Sequence, residues 1–133
     1  MNGLSRAIFK DIRTVAVSGL SPNPAKASHL VARYLQENGF RIVPIYPKEE
    51  TILGEKAYRS LSEIPFGVDM LLVFRRSEYA ERLAEEAASF GGIKIFWLQE
   101  GITSAAACKK AVDAGMTAVE DRCVMKFHKM LKE

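Results

Sequence analysis

From Val17 the chain reads Val-Ser-Gly-Leu-Ser-Pro-Asn-Pro-Ala-Lys-Ala-Ser, ending at Ser28. An apolar run stops at Gly19, small and rigid residues follow, and a helix begins near Lys26. Such a junction leaves unpaired backbone N–H groups converging on one spot with the positive end of a helix behind them. The chemistry on offer is anion binding: Gly19 and Ser21 in the loop, Lys26 as a mobile charge, and Ser28 in the first helical turn. The pattern is neither a Walker loop nor Gly-x-Gly-x-x-Gly, since Gly19 stands alone. The plain alternatives are a solvated first-turn lysine and a serine satisfying local backbone.

A second group lies where the next apolar run ends, at Pro44-Ile45-Tyr46-Pro47-Lys48. Dinucleotide sites of the NAD type place an Asp or Glu there to hold the ribose hydroxyls. Here no carboxylate stands at the strand end, and Glu49 and Glu50 come only after Pro47 and Lys48. A lysine suits a phosphorylated ribose, as in NADP or coenzyme A, and Tyr46 and Pro47 can flank an adenine ring; an ordinary solvated turn is the competing reading. Arg75 and Arg76 directly follow a buried run, so at least one must emerge over the ligand crevice or pair with a carboxylate. Gln99-Glu100-Gly101 ends another strand and reads as a turn or as a group touching a thioester.

Nucleophiles and bases are poorly matched. Cys123 beside Arg122 has the setting of an activated thiol, whereas Cys108 reads as a small core residue on an alanine-rich helix. His29 and His128 lie far apart, and neither has a partner at triad or metal spacing. No catalytic or metal-ligating set is assigned, which favours a binding module over an enzyme. An NADP-dependent oxidoreductase is the enzymatic alternative.

These residues need a scaffold, and strand-like runs alternate with helix-like runs almost from end to end. The predicted strands are Thr14–Ser18, Phe40–Ile45, Val68–Phe74, Ile93–Leu98 and Met116–Glu120. Helices are predicted over Ser5–Ile12, Lys26–Asn38, Ser77–Phe90, Ser104–Ala114 and Cys123–Leu131, from apolar positions at helical spacing with Gly39 and Gly115 as stops. Between the second and third strands, Ser60-x-x-Glu63 resembles a capping box opening one turn before Pro65. The pattern predicts an α/β fold: a doubly wound, five-stranded parallel sheet in three αβα layers, in the order 3-2-1-4-5. Its ligand belongs at the carboxyl ends of the strands, near the switch between strands one and four.

The 133 residues, 48% hydrophobic and 26% charged, suit a single domain over 1–133. A formal charge of +3 with interspersed signs gives no footprint for nucleic acid. No run reaches the roughly 18 apolar residues of a membrane span, and the first residues do not read as a signal peptide, so the expected compartment is the cytoplasm. The two cysteines suggest neither a disulfide scaffold nor a zinc site.

Taken in order, Gly19-Leu20-Ser21-Pro22-Asn23-Pro24, Lys26-Ala27-Ser28, Pro44-Ile45-Tyr46-Pro47, Ile52-Leu53-Gly54-Glu55, Val73-Phe74-Arg75-Arg76, Trp97-Leu98-Gln99-Glu100-Gly101 and Asp121-Arg122-Cys123 resemble the stand-alone coenzyme A-binding proteins. The resemblance covers roughly Thr14 to Cys123. It implies a Rossmann-like domain related to the coenzyme A-binding domain of succinyl-CoA synthetase alpha subunits, without that enzyme's chemistry. It also implies roles: Gly19, Leu20, Ser21, Lys26 and Ser28 at the pyrophosphate, Tyr46, Pro47 and Lys48 at the 3′-phosphorylated adenosine, and Phe74 and Arg75 bordering the groove. The expected ligand is coenzyme A or an acyl-CoA, and the expected partners are a second copy of the chain or an acyl-CoA synthetase; a regulatory subunit of an acyl-CoA-using enzyme is a further alternative.

Overall fold

The computed structural model describes residues 6–132. Among these residues seven strands and four α-helices follow in chain order: β1 (Thr14–Ser18), α1 (Ala27–Glu37), β2 (Arg41–Ile45), β3 (Thr51–Ile52), β4 (Glu55–Lys56), β5 (Met70–Val73), α2 (Ala80–Phe90), β6 (Ile95–Leu98), α3 (Ala105–Asp113), β7 (Thr117–Val119) and α4 (Val124–Leu131). Short 3₁₀ helices cover Arg6–Phe9, Leu61–Glu63 and Ser77–Tyr79. The first replaces the α-helix predicted to open the chain; Ser5, where that helix was to begin, lies outside the described residues.

Five strands form one parallel sheet in the order β2-β1-β5-β6-β7, and β3 and β4 form a separate antiparallel hairpin. The α/β architecture is as predicted, but the order 3-2-1-4-5 is not. The strand read as third, β5, pairs directly with β1, Val15 facing Met70 and Ser18 facing Val73. The switch point therefore lies between β1 and β5. The place beyond β2 is held by a single parallel bridge, Ile45 to Tyr58, with Tyr46 N–H donating to the Tyr58 carbonyl at 2.9 Å. The reason is local: the chain after β2 spends its residues on the hairpin and one 3₁₀ turn, and no apolar run remains to build an outer strand before Val68.

Alternation along the strands divides the core in two, because successive side chains point to opposite faces. Val15, Val17, Ile42, Leu72 and Trp97 pack with Val31 and Leu35 of α1 and Phe127 of α4. Ala16, Val43, Leu71, Val73 and Phe96 pack with Leu61, with Leu83 of α2 and with Ala107 of α3. Ser18 continues the Ala16 side. At the amino ends of the strands the Asp69 carboxylate accepts from the amides of Arg13 (2.9 Å) and Thr14 (3.0 Å) and from Lys94 Nζ (3.2 Å). Burial pushes this carboxyl up, but the two amides and the ammonium outweigh it and hold it below its ordinary value.

The closing helix docks through buried polar groups. Trp97 Nε1 donates to the Arg122 carbonyl at 2.8 Å, and the Gln99 side-chain carbonyl accepts from the Val124 amide at 3.1 Å. Gln99 thus satisfies one of the open donors of α4, and at 5% exposure it faces inward rather than toward a ligand. His128 meets the Tyr34 hydroxyl at 2.6 Å, with the rings of Phe9, Tyr34 and Phe40 edge-on to it at 5.4, 5.5 and 5.6 Å.

Candidate functional site

The chain leaves β1 at Gly19 with φ +87°, and the Gly19 amide donates to the Ile45 carbonyl at 3.0 Å. A Cβ built there would lie 2.6 Å from the Phe74 carbonyl oxygen, so the loops after β1 and β5 cross in contact. Glycine alone meets both conditions. Leu20 is fully buried and anchors the loop by its side chain. The next residues fold onto themselves: Ser21 Oγ accepts from the Asn23 amide and Asn23 Oδ1 from the Ala25 amide, both at 3.0 Å. These are the local turns that Ser and Asn favour, and Pro22 and Pro24 stiffen them.

Ser28 and His29 tie the loop to the helix. Ser28 Oγ accepts from the Ser21 amide at 3.0 Å, and His29 Nδ1 lies 2.9 Å from the Ser21 carbonyl oxygen, to which it donates in the matching tautomer. Both side chains are buried. The Ser28 hydroxyl therefore shapes the loop from within. Lys26 is the extended N-cap of α1, with no side-chain cap bond, and its side chain is exposed. Among the described residues, the amides of Ala27 and Ser28 meet no acceptor. Two free donors and one ammonium thus mark the positive end of α1.

Tyr46 is half-buried, and Pro47 and Lys48 are exposed at the tip of the turn after β2. Arg59 closes this turn, one nitrogen donating to the carbonyls of Tyr46 and Glu49 at 2.7 Å each. Phe74 is half-buried beside Gly19, and Arg75 is exposed with its guanidinium 4.5 Å from the Tyr79 ring centroid. Arg76 lies 5.7 Å from the same ring and donates to the Tyr79 hydroxyl at 3.3 Å. Among the described residues neither arginine forms an ion pair. The structure thus gathers Gly19, Tyr46, Phe74 and Arg75 around the β1–β5 switch point, with Lys26 and Lys48 on its loops. A shallow cleft of about 470 Å³ runs from Phe74 and Arg75 to Glu100 and Ile102, and a second cavity, of about 230 Å³, lies behind Ser18.

Sequence reasoning missed Arg59, the cavity behind Ser18 and the tethering role of His29. Arg59 gives no local signal, because its guanidinium partners are carbonyls thirteen and ten positions away. A serine closing an otherwise apolar strand was the available hint at Ser18. Cys123 is buried as the N-cap residue of α4. Burial, and then the charge of Glu120, push the Cys108 thiol up, away from the reactive thiolate.

A family described as CoA binding domain matches residues 13–129. The chain belongs to that family. Uncharacterized protein YneT of Bacillus subtilis is 35% identical over 136 residues, an alignment taking in 99% of this chain and 100% of that protein. The alpha subunit of an ADP-forming acetate–CoA ligase II from Pyrococcus furiosus is 32% identical over 84 residues, which are 62% of this chain but 18% of the subunit. Among solved structures, a hypothetical protein from Pyrococcus horikoshii OT3 superposes with a TM-score of 0.92 at 32% identity, covering 98% of this chain and 94% of the other. Among the described residues no helix is long and apolar enough to cross a membrane.

Proposed function

We propose that this protein binds coenzyme A or an acyl-CoA at the carboxyl edge of its sheet and catalyses no reaction of its own. The observation that carries the reading is the open amino end of α1, with Lys26 and the free amides of Ala27 and Ser28, set beside a β2 exit bearing Lys48 instead of a carboxylate. In this reading the diphosphate rests on the loop from Gly19 to Ser21 and on the first turn of α1. Ser28 contributes its amide there, while its hydroxyl holds the loop in shape. Tyr46, Pro47 and Lys48 face the adenosine end, and Phe74 and Arg75 border the groove. Membership of a CoA-binding domain family supports the ligand class, and the likeness to part of a ligase subunit extends the proposal to an acyl-CoA synthetase as partner.

Lys48 also suits the 2′-phosphate of NADP, so one experiment must separate the two. Isothermal titration with coenzyme A, NADP and NAD is expected to rank coenzyme A above both nucleotides; equal or weaker binding of coenzyme A overturns the proposal. Lys26→Glu is expected to abolish binding with an unchanged circular dichroism spectrum, since the Lys26 side chain makes no bond within the described residues.

A further inference from the structure

We infer that the cavity behind Ser18 is a phosphomonoester subsite, and that it receives the 3′-phosphate of the coenzyme A proposed above, a reading on which this inference rests. The cavity, about 230 Å³, opens at the carboxyl ends of β1 and β2, with Leu71 of β5 in its wall, on the α2 side of the sheet. The loop assigned to the diphosphate leads into α1 on the other face. A ligand draped over the end of β1 therefore reaches both.

Ser18 forms part of the cavity lining. It is 1% exposed, and among the described residues its hydroxyl has no hydrogen-bond partner. No fully enclosed side-chain polar atom in the described structure lacks a partner, so this hydroxyl opens into the cavity. A nearly buried hydroxyl that no protein group engages is a donor left available to a ligand acceptor entering the cavity.

The charged lining consists of Arg59, Arg75 and Arg82 against Glu86, three positive charges and one negative, an excess of two. That excess matches a phosphomonoester dianion. Arg59 is already fixed by the Tyr46 and Glu49 carbonyls through one nitrogen, and its other guanidinium N–H groups have no acceptor among the described residues. Arg75 is braced against the Tyr79 ring. Arg82 touches Glu86 only loosely, at 3.5 Å with 80% side-chain exposure, and is free to turn inward. Guanidinium forks plus a hydroxyl donor are the usual chemistry for phosphate. Ile45 and Leu83 add an apolar wall suited to the attached sugar and base. Lys48, exposed on its turn, stands outside this lining and in this inference lies beside the adenosine without holding its 3′-phosphate.

The test compares wild type, Ser18→Ala, Arg82→Gln and Lys48→Gln by titration with coenzyme A, 3′-dephospho-coenzyme A and adenosine 3′,5′-bisphosphate. Wild type is expected to favour coenzyme A over its dephospho form by about tenfold or more, the size of one or two charge-assisted hydrogen bonds. Ser18→Ala and Arg82→Gln are each expected to weaken coenzyme A and the bisphosphate by about 3- to 30-fold while leaving the dephospho form unchanged. Ser18→Ala breaks no internal bond, so its fold is retained. If coenzyme A binds but neither variant alters its preference over the dephospho form, or if Lys48→Gln alone removes that preference, the subsite is overturned while the binding function stands. If wild type binds no form of coenzyme A, both fall.

Discussion

Replacing Gly19 with alanine tests whether the β1 and β5 loops really touch. Two costs separate cleanly in this fold. Gly19 has φ +87° and Gly39 has φ +94°, so alanine at either pays the left-handed penalty, about 1–2 kcal/mol. At Gly39 a Cβ meets nothing within 4 Å, whereas at Gly19 it lies 2.6 Å from the Phe74 carbonyl oxygen, 3.1 Å from Arg75 Cδ and 3.2 Å from the Phe74 carbonyl carbon. Arg75 is flexible and can yield, but the carbonyl belongs to a backbone held by the Phe74 amide bonding to the Ser18 carbonyl at 2.9 Å. Forcing that backbone apart costs about a further 1–3 kcal/mol, as for overpacking. Gly39→Ala is thus expected to lose about 1–2 kcal/mol and Gly19→Ala about 2–5 kcal/mol, both within the 5–15 kcal/mol of a typical domain. Urea denaturation followed through Trp97 measures the two, and titration of folded Gly19→Ala with coenzyme A should show lost binding because the loop has moved. Equal destabilisation by the two variants would refute the close crossing of the loops.

Two further outcomes follow from the docking of α4. Burial, and then the charge of Lys132, hold the His128 imidazole below its ordinary value of 6.5, so the unfolded chain binds the proton more readily than the folded one. Stability is therefore full above 6.5 and falls as the pH drops from there to the lower folded value, by at most about 1.4 kcal/mol per pH unit for one proton; denaturation from pH 7.5 to 5 should show a shallower loss in His128→Phe, and equal slopes would contradict the assignment. Gln99→Leu leaves the buried Val124 amide without its acceptor and is expected to cost about 1–3 kcal/mol, read as a lower urea midpoint with an unchanged slope.

The layers of this fold were legible because the signals are local. Thr14–Ser18 and the apolar run ending at Val73 are buried along almost their whole length, and the helix after Lys26 begins and ends where its flanking residues direct. Strand order was not legible, since nothing within the segments Phe40–Ile45 and Val68–Phe74 says which side of β1 each takes. The β3–β4 hairpin escaped for a different reason: its turn is Leu53-Gly54, with φ 55° at a leucine, a residue that carries no turn signal. That turn is held from outside, by Gln36 Nε2 donating to the Leu53 carbonyl at 3.0 Å. At the candidate site, Gly19 and Lys26 could be found because loop and helix start adjoin in sequence. Ser18 and the three arginines of the second cavity come from four separate segments, and only folding assembles them.

The single rung at Tyr58 has an outcome for the protein in concentrated solution. A five-stranded parallel sheet has two borders, and an unpaired row of N–H and C=O groups on either would invite another chain to add to it. Tyr58 engages the Pro44 carbonyl and the Tyr46 amide, capping the far end of β2 with two bonds, while the opposite border, β7, is three residues long. One border is capped at its carboxyl end and carries Pro44, which has no N–H to offer, and the other is three residues long, so each leaves only a short stretch for strand addition between copies.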